Sequence, residues 1–223
     1  GENMETLMTT NEIKKDKAID KIIKIFWVFL IGSMIGYLVE NIVGFVQNGH
    51  FVSRQGLLFG PFIQVYGIGL IIYYLIIPHA KKNMQIFVGS MILGGVTEYL
   101  FSYFQERFFG TVSWDYSNLL FNINGRTSLL HCIYWGIGGI LFMKLIYPNI
   151  EKIGRQSNKV YFKVATFILV VFMVFNISAS SLAAQRSLER RQNIAPKGGL
   201  DYFFDTYYPD EKMNKIYSNS RER

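Results

Sequence analysis

The sequence predicts an all-α, polytopic helical membrane protein with five transmembrane helices, the first four forming two tandem helical hairpins. Three observations carry that expectation. Half of the 223 residues are hydrophobic and only 17% are charged, with 19 Phe and 14 Tyr. Apolar runs recur at lengths near the roughly 20 residues needed to cross a hydrocarbon core. Polar residues inside those runs repeat in a fixed order. The formal charge of +7 suggests a polyanion partner only in a soluble chain. Here the apolar runs decide the class, and nucleic acid is not expected as a partner.

In chain order, residues 1–21 form a basic amino-terminal segment. The stretch "EIKKDKAIDKIIK" (12–24) reads either as a short amphipathic helix on the membrane surface or as a solvated flank. A membrane domain follows over 22–182, with spans at 22–46, 57–77, 85–104, 127–147 and 161–182, each bounded by charge, Pro or Gly. Residues 183–223 make a carboxy-terminal tail. Lys14, Lys15, Lys17, Lys21, Lys24, Lys81, Lys82, Lys152, Arg155, Lys159 and Lys163 fall on one side of such a bundle. The opposite loops carry Arg54, Arg107 and Arg126. Positive charge is retained in the cytoplasm. The amino terminus is therefore expected on the cytoplasmic side and the tail outside, against the pull of Arg186, Arg190, Arg191 and Lys197.

The two hairpins show themselves through their polar residues. Gly32, Gly36, Glu40 and Gly44 are matched by Ser90, Gly94, Glu98 and Ser102 at a constant offset of 58 residues. Arg54 before Leu57-Leu58 is matched by Arg126 before Leu129-Leu130, "YGIG" (66–69) by "WGIG" (135–138), and Pro78 by Pro148. A two-helix unit keeps its orientation on duplication, so repeats at about 22–78 and 85–148 would be parallel.

Residues four apart share a helical face, and small residues let membrane helices approach closely. Glu40 and Glu98 should thus face the bundle interior, each about six residues, or roughly 9 Å, below the outer end of its span. An unpaired charge at depth costs about 2.5–3.5 kcal/mol on insertion scales, so each Glu needs a partner. Arg54 and Arg126, at the starts of the returning helices, are the expected ones. Two readings stay open, a packing device or an outward-facing polar site. Tyr66 joins the candidate set, as does His131, which reads as a hydrogen-bonded core residue or a proton relay.

The loop "FFGTVSWDYSNLLFNINGR" (108–126) carries Trp114 and Tyr116, suited to the headgroup level. Asp115 with Ser117 suits a local turn, and "NINGR" is a turn signature ahead of a helix. Trp114, Asp115, Tyr116, Asn122 and Asn124, with Tyr99, serve either an ordered interfacial loop or a carbohydrate- or headgroup-binding one. "RQGLLFGP" (54–61), "VYG" (65–67), Glu98-Tyr99, "WDYS" (114–117), "FNINGR" (121–126) and "WG" (135–136) resemble the bacterial ABC transporter permeases of type IV, or CmpB-like proteins. The tail "YYPDEKMNKIY" (207–217) is similar to ends seen there. Gln55, where Gly is usual, and Ser113, where a second Trp is common, depart from the pattern. The resemblance implies a transporter component served by a separate ATPase.

Other chemistry finds little footing. No phosphate-binding loop of the G-x-x-x-x-G-K-[ST] type occurs, so any nucleotide hydrolysis would be a partner's. His50, His79 and His131 lack paired metal-ligand spacing. The single Cys132 leaves no intramolecular disulfide to form, and no nucleophile elbow is present. Neither cofactor nor metal is expected. The leading expectation is small-solute binding for transport at a site lined by Glu and Arg. An outer-leaflet enzyme or lipid- or glycan-headgroup binder, and a membrane sensor or assembly partner, are the alternatives. Expected partners are the bilayer, a small solute or headgroup, and either an ATPase or a second copy.

Overall fold

A computed structural model describes residues 14–222 in full and the backbone of 2–13. The side chains of 1–13, and with them most of the basic segment 1–21, lie outside the described residues. The chain is mostly helical. Helix α1 (Glu2–Asn48), α2 (Gln64–Ile76), α3 (Asn83–Phe109), α4 (Leu129–Gly154) and α5 (Val160–Arg191) make the bundle. Two short helices, α6 (Gly199–Tyr207) and α7 (Asp210–Ile216), lie in the tail. Four of these, α1 from Lys14, α3, α4 and α5, are long and apolar enough to cross a membrane. The stretch 12–24 lies within α1 and continues into the first span without a break.

The expected second span is where the fold departs most. Helix α2 begins only at Gln64 and ends in a 3-10 turn at Ile77–His79, where Pro78 removes a donor. Residues 57–63 are not helical. Gly56, Gly60 and Pro61 break the helical ladder there, so the backbone must find other partners. Asn176 and Ser180 of α5 supply them. Leu58 N donates to Ser180 Oγ (2.8 Å), Phe59 N to Asn176 Oδ1 (3.2 Å), and Asn176 Nδ2 to Phe59 O (2.6 Å). Irregular backbone at membrane depth is tolerated only where protein satisfies it, and Asn176 is fully buried for that purpose.

Glycines set the distance between helices. A Cβ on Gly36 would stand 2.6 Å from Tyr66 Cβ, and one on Gly94 would overlap the Trp135 ring. Gly67 likewise sits against Phe29 and Ser33, and Gly136 against Phe87 and Met91. The α1–α2 and α3–α4 pairs are thus each zipped by an aromatic ring laid over a glycine. Between them, Tyr66 and Trp135 meet ring to ring at 5.4 Å. Tyr73 and Phe142, both fully buried, anchor the main core with Val28 and Ile150. The Tyr73 hydroxyl lies 2.9 Å from the carbonyls of both Ser90 and Trp135. In α4, Pro148 follows a π-helical stretch at Phe142–Ile146, the widened ladder accommodating a residue with no N–H.

At one end of the bundle, Lys24 pairs with Asp20 and Glu151, and Tyr74 donates to Glu151. The other end gathers the loops 49–63 and 110–128 with the tail. Three arginines at the close of α5 organise it. Arg186 grips Asp205 through two bonds (2.9 and 2.8 Å), Arg190 bridges Asp205 and Asp210, and Arg191 donates to Phe109 O and pairs with Glu222. Phe204 and Met213 then pack on Leu58 and Ala183. Strand β4 (Arg221–Glu222) pairs antiparallel with β1 (Thr111–Val112), and Tyr217 bridges to Arg54. Ser218 Oγ donates to Ser53 O and Asn219 Nδ2 to Ser113 O. The tail is a strap across both loops.

Two outcomes follow from these contacts. Gly36→Val should lower the unfolding temperature in detergent, on the scale of about 1–3 kcal/mol for an overpacked contact. Gly138→Ala, where a Cβ meets nothing within 4 Å, should not. Bonding to Arg186 holds the Asp205 carboxyl down at about 2, below the ordinary value near 3.9. A depressed carboxylate stabilises above its unfolded value and loses that contribution as pH falls through the folded one. Hydrogen exchange over 199–216 should therefore stay slow at pH 5 and quicken between about pH 4 and 2. Asp205→Asn should remove most of that acid response.

Candidate functional site

Glu40 lies on α1 one turn above Gly36, so Tyr66, seated on that glycine, reaches it. The Tyr66 hydroxyl donates to Glu40 Oε1 at 2.7 Å, and Arg54 Nη1 donates to Oε2 at 3.2 Å. Gly44, one turn further, leaves room for the Arg54 guanidinium, whose Nε would be 3.1 Å from a Cβ there. Asn41 holds Arg54 from behind. Its Oδ1 accepts from Arg54 N (3.1 Å), and its Nδ2 donates to Arg54 O (3.2 Å) and Tyr37 O (2.7 Å). Gln47 adds a longer contact to Nη2. The expected Glu40–Arg54 pair is formed and only part-buried.

Glu98 is treated differently. It is 6% exposed and is held by hydroxyls, Tyr116 donating to Oε1 (3.0 Å) and Thr127 to Oε2 (2.9 Å). Arg126 does not take it. Arg126 Nη2 binds Glu106 at 2.5 Å and Nη1 bonds Ser102 Oγ at 3.2 Å, with the guanidinium over the Tyr99 and Tyr103 rings. The reason is local. Glu106 lies two turns above Glu98 on the same face of α3, nearer the loop from which Arg126 comes. At the offset of 58, the first hairpin has the neutral Asn48 there. Arg54 meets no such competitor.

The two acids belong to one cluster. Tyr116 comes from the loop, stacks on His131 at 3.6 Å between centroids, and touches Glu98. Burial first, and then the fields of Glu98, Tyr66 and Glu40, push its phenol far above the ordinary range, so it remains a donor. His131 Nδ1 lies 2.8 Å from Ser128 Oγ, the side chain that also caps α4.

Residues 27–181, well over half the chain, match a family described as "Putative ABC-transporter type IV". The chain belongs to that family. No curated protein and no solved structure matched it. Membership supports a membrane-embedded transporter component, and the apolar helices agree.

In this family member, the remaining loop candidates mainly hold the loop itself. Trp114 Nε1 donates to Arg126 O (2.8 Å) and its ring stacks on Phe101. Asp115 makes the expected turn, accepting from Ser117 N and Oγ. Asn122 bonds Ser117 O, Leu119 O and Gly125 N, closing the hairpin of β2 (Asn122–Ile123) and β3 (Thr127–Ser128). Asn124 Nδ2 donates to Tyr99 Oη at 3.0 Å. Asn41, Thr127 and Tyr217 went unnoticed in the sequence. Of these only Asn41 left a signal there, as an amide beside Glu40 in an otherwise apolar stretch.

If the hydroxyls satisfy the acids, their loss leaves buried acceptors short of a donor, at about 1–3 kcal/mol each. Tyr66→Phe and Thr127→Val should each lower thermal stability by that amount. Tyr66→Phe combined with Glu40→Gln should fall short of the sum in a double-mutant cycle.

Proposed function

We propose that this chain is the membrane component of a transporter. It binds a small solute between two tandem hairpins, in a polar site lined by Glu40, Arg54, Tyr66, Glu98, Tyr116 and Thr127. The observation that carries the reading is that each membrane-depth acid takes a tyrosine hydroxyl, Glu40 from Tyr66 and Glu98 from Tyr116. Intramembrane ionisable residues facing a bundle interior mark solute or proton paths. The strap closes that site, so solute enters when it lifts.

The finer topology belongs to the same proposal. Helix α2 with the irregular segment before it makes a fifth crossing, and α1–α2 and α3–α4 are the two repeats. Matching contacts support this. Gly36 with Tyr66 parallels Gly94 with Trp135, and Gly44 with Arg54 parallels Ser102 with Arg126. The Lys-rich end faces the cytoplasm of a bacterium and the strap faces outward. Asp205, Asp210, Glu189 and Glu222 neutralise the arginines that seemed to oppose that orientation. A separate ATPase would dock at the Lys-rich end.

A ligand screen by thermal shift, followed by uptake into proteoliposomes, tests the site. Solutes that stabilise the protein should fail with Glu40→Gln and Glu98→Gln, while both variants keep their fold. Should both variants simply fail to fold, the acids are a packing device and the site reading is lost.

A further inference from the structure

The Lys-rich end of the bundle carries a polar cleft separate from the Glu40 and Glu98 cluster. Its volume is about 490 Å³, and it lies where α1, α2 and α4 meet, lined among others by Asp20, Lys21, Lys24, Tyr74, Leu75 and Tyr147. Lys14, Lys17, Lys21 and Lys24 follow one another at spacings of three and four, so they form one cationic stripe along α1. The stripe enters the cleft through Lys21 and Lys24. Lys24 bonds Asp20 at 3.1 Å and Glu151 at 3.0 Å. An ammonium has three donors, so one N–H is left for a ligand oxygen. Both acids are occupied as well. Asp20 also accepts from Ser157 (2.9 Å), and Glu151 from Tyr74 (3.2 Å). Lys21 is exposed and, among the described residues, pairs with no carboxylate. It is the charge in the cleft that no acid compensates.

The cleft also opens at the edge of the apolar surface. Ile22, next to Lys21, is 66% exposed, and Leu75 and Ile76 are 40% and 50% exposed. Tyr74 and Tyr147 meet at 5.8 Å between rings, and tyrosine at the end of a span sits at headgroup level.

We propose that this cleft binds the headgroup of an anionic phospholipid, its phosphate against Lys21 and its acyl chains along Leu75 and Ile76. Basic pockets between membrane helices are suited to anionic headgroups. A free phosphate would meet one hydrated lysine, and exposed ion pairs are worth little. A lipid arrives with its phosphate already held at that height by its chains, so one well-placed cation retains it. The bound headgroup ties α1 to α2 just where α2 gives way to its 3-10 turn. The proposal rests on the membrane reading of these helices and not on what the polar cluster binds.

Purified, delipidated full-length protein in neutral detergent is titrated with palmitoyl-oleoyl phosphatidylglycerol and followed by native mass spectrometry. The lipid should be retained at concentrations where palmitoyl-oleoyl phosphatidylcholine, whose phosphate carries its own cation, is not. Lys21→Gln should weaken retention about fivefold, the contribution of one cation beside an anionic headgroup, with its lipid-free unfolding temperature unchanged. Lys21→Arg should restore it. Lys14→Gln removes the same charge from the same stripe outside the cleft and should change retention little. Inorganic phosphate and glycerophosphoglycerol, which lack chains, should not displace the lipid even in excess. Displacement by either marks a free-phosphate site and overturns the lipid reading, as does equal retention of phosphatidylcholine. Equal weakening by Lys14→Gln and Lys21→Gln reduces the cleft to diffuse charge and overturns it too. None of these results bears on the Glu40 and Glu98 tests.

Discussion

The seating of an aromatic ring on a bare glycine backbone is the contact from which the rest of this bundle is built. Tyr66 over Gly36 and Trp135 over Gly94 bring each helix pair closer than side chains on both partners would permit. That spacing delivers the Tyr66 hydroxyl to Glu40 and puts Tyr66 against Trp135 at the seam between the pairs. With lipid outside, such close packing has to supply cohesion that water would otherwise provide. It also confines the acids, because a looser bundle would let bilayer chains in beside them.

The two hairpins show how one added charge redirects an ion pair. Glu40 and Glu98 occupy matching places, and so do Arg54 and Arg126. Yet Glu106 captures Arg126, and Glu98 turns to Tyr116 and Thr127 instead. The first acid is thus compensated by charge and stays part-exposed, while the second is compensated by hydroxyls and is buried. If the site works by opening, the halves have unequal costs to do so, because one acid keeps an ionic partner and the other only neutral donors.

Much of this was legible in the sequence. The Glu–Arg arrangement of the first hairpin followed from four-residue spacing and the depth of Glu40, since a single arginine was within reach. The second did not, because spacing alone cannot rank two acids on one helical face. The broken segment at 57–63 was read as helix because an apolar run looks the same in either conformation. The clue lay elsewhere, in Asn176 and Ser180 four apart within a greasy span, and its meaning needed the third dimension. The partners of the loop residues are largely backbone groups, which carry no sequence signature. The arginines that receive the tail read in the sequence only as charge opposed to the expected orientation.

The strap has a further consequence for the order in which the protein is made. Ser218 meets Ser53 across 165 residues of chain, so this end of the bundle closes only after nearly everything between them has been synthesised and inserted. Until then the loop around Arg54 has no lid, and Glu40 below it keeps access to water. The first hairpin can enter the bilayer with its carboxylate hydrated, and dehydration is deferred to a step at which the bonds that compensate it already exist.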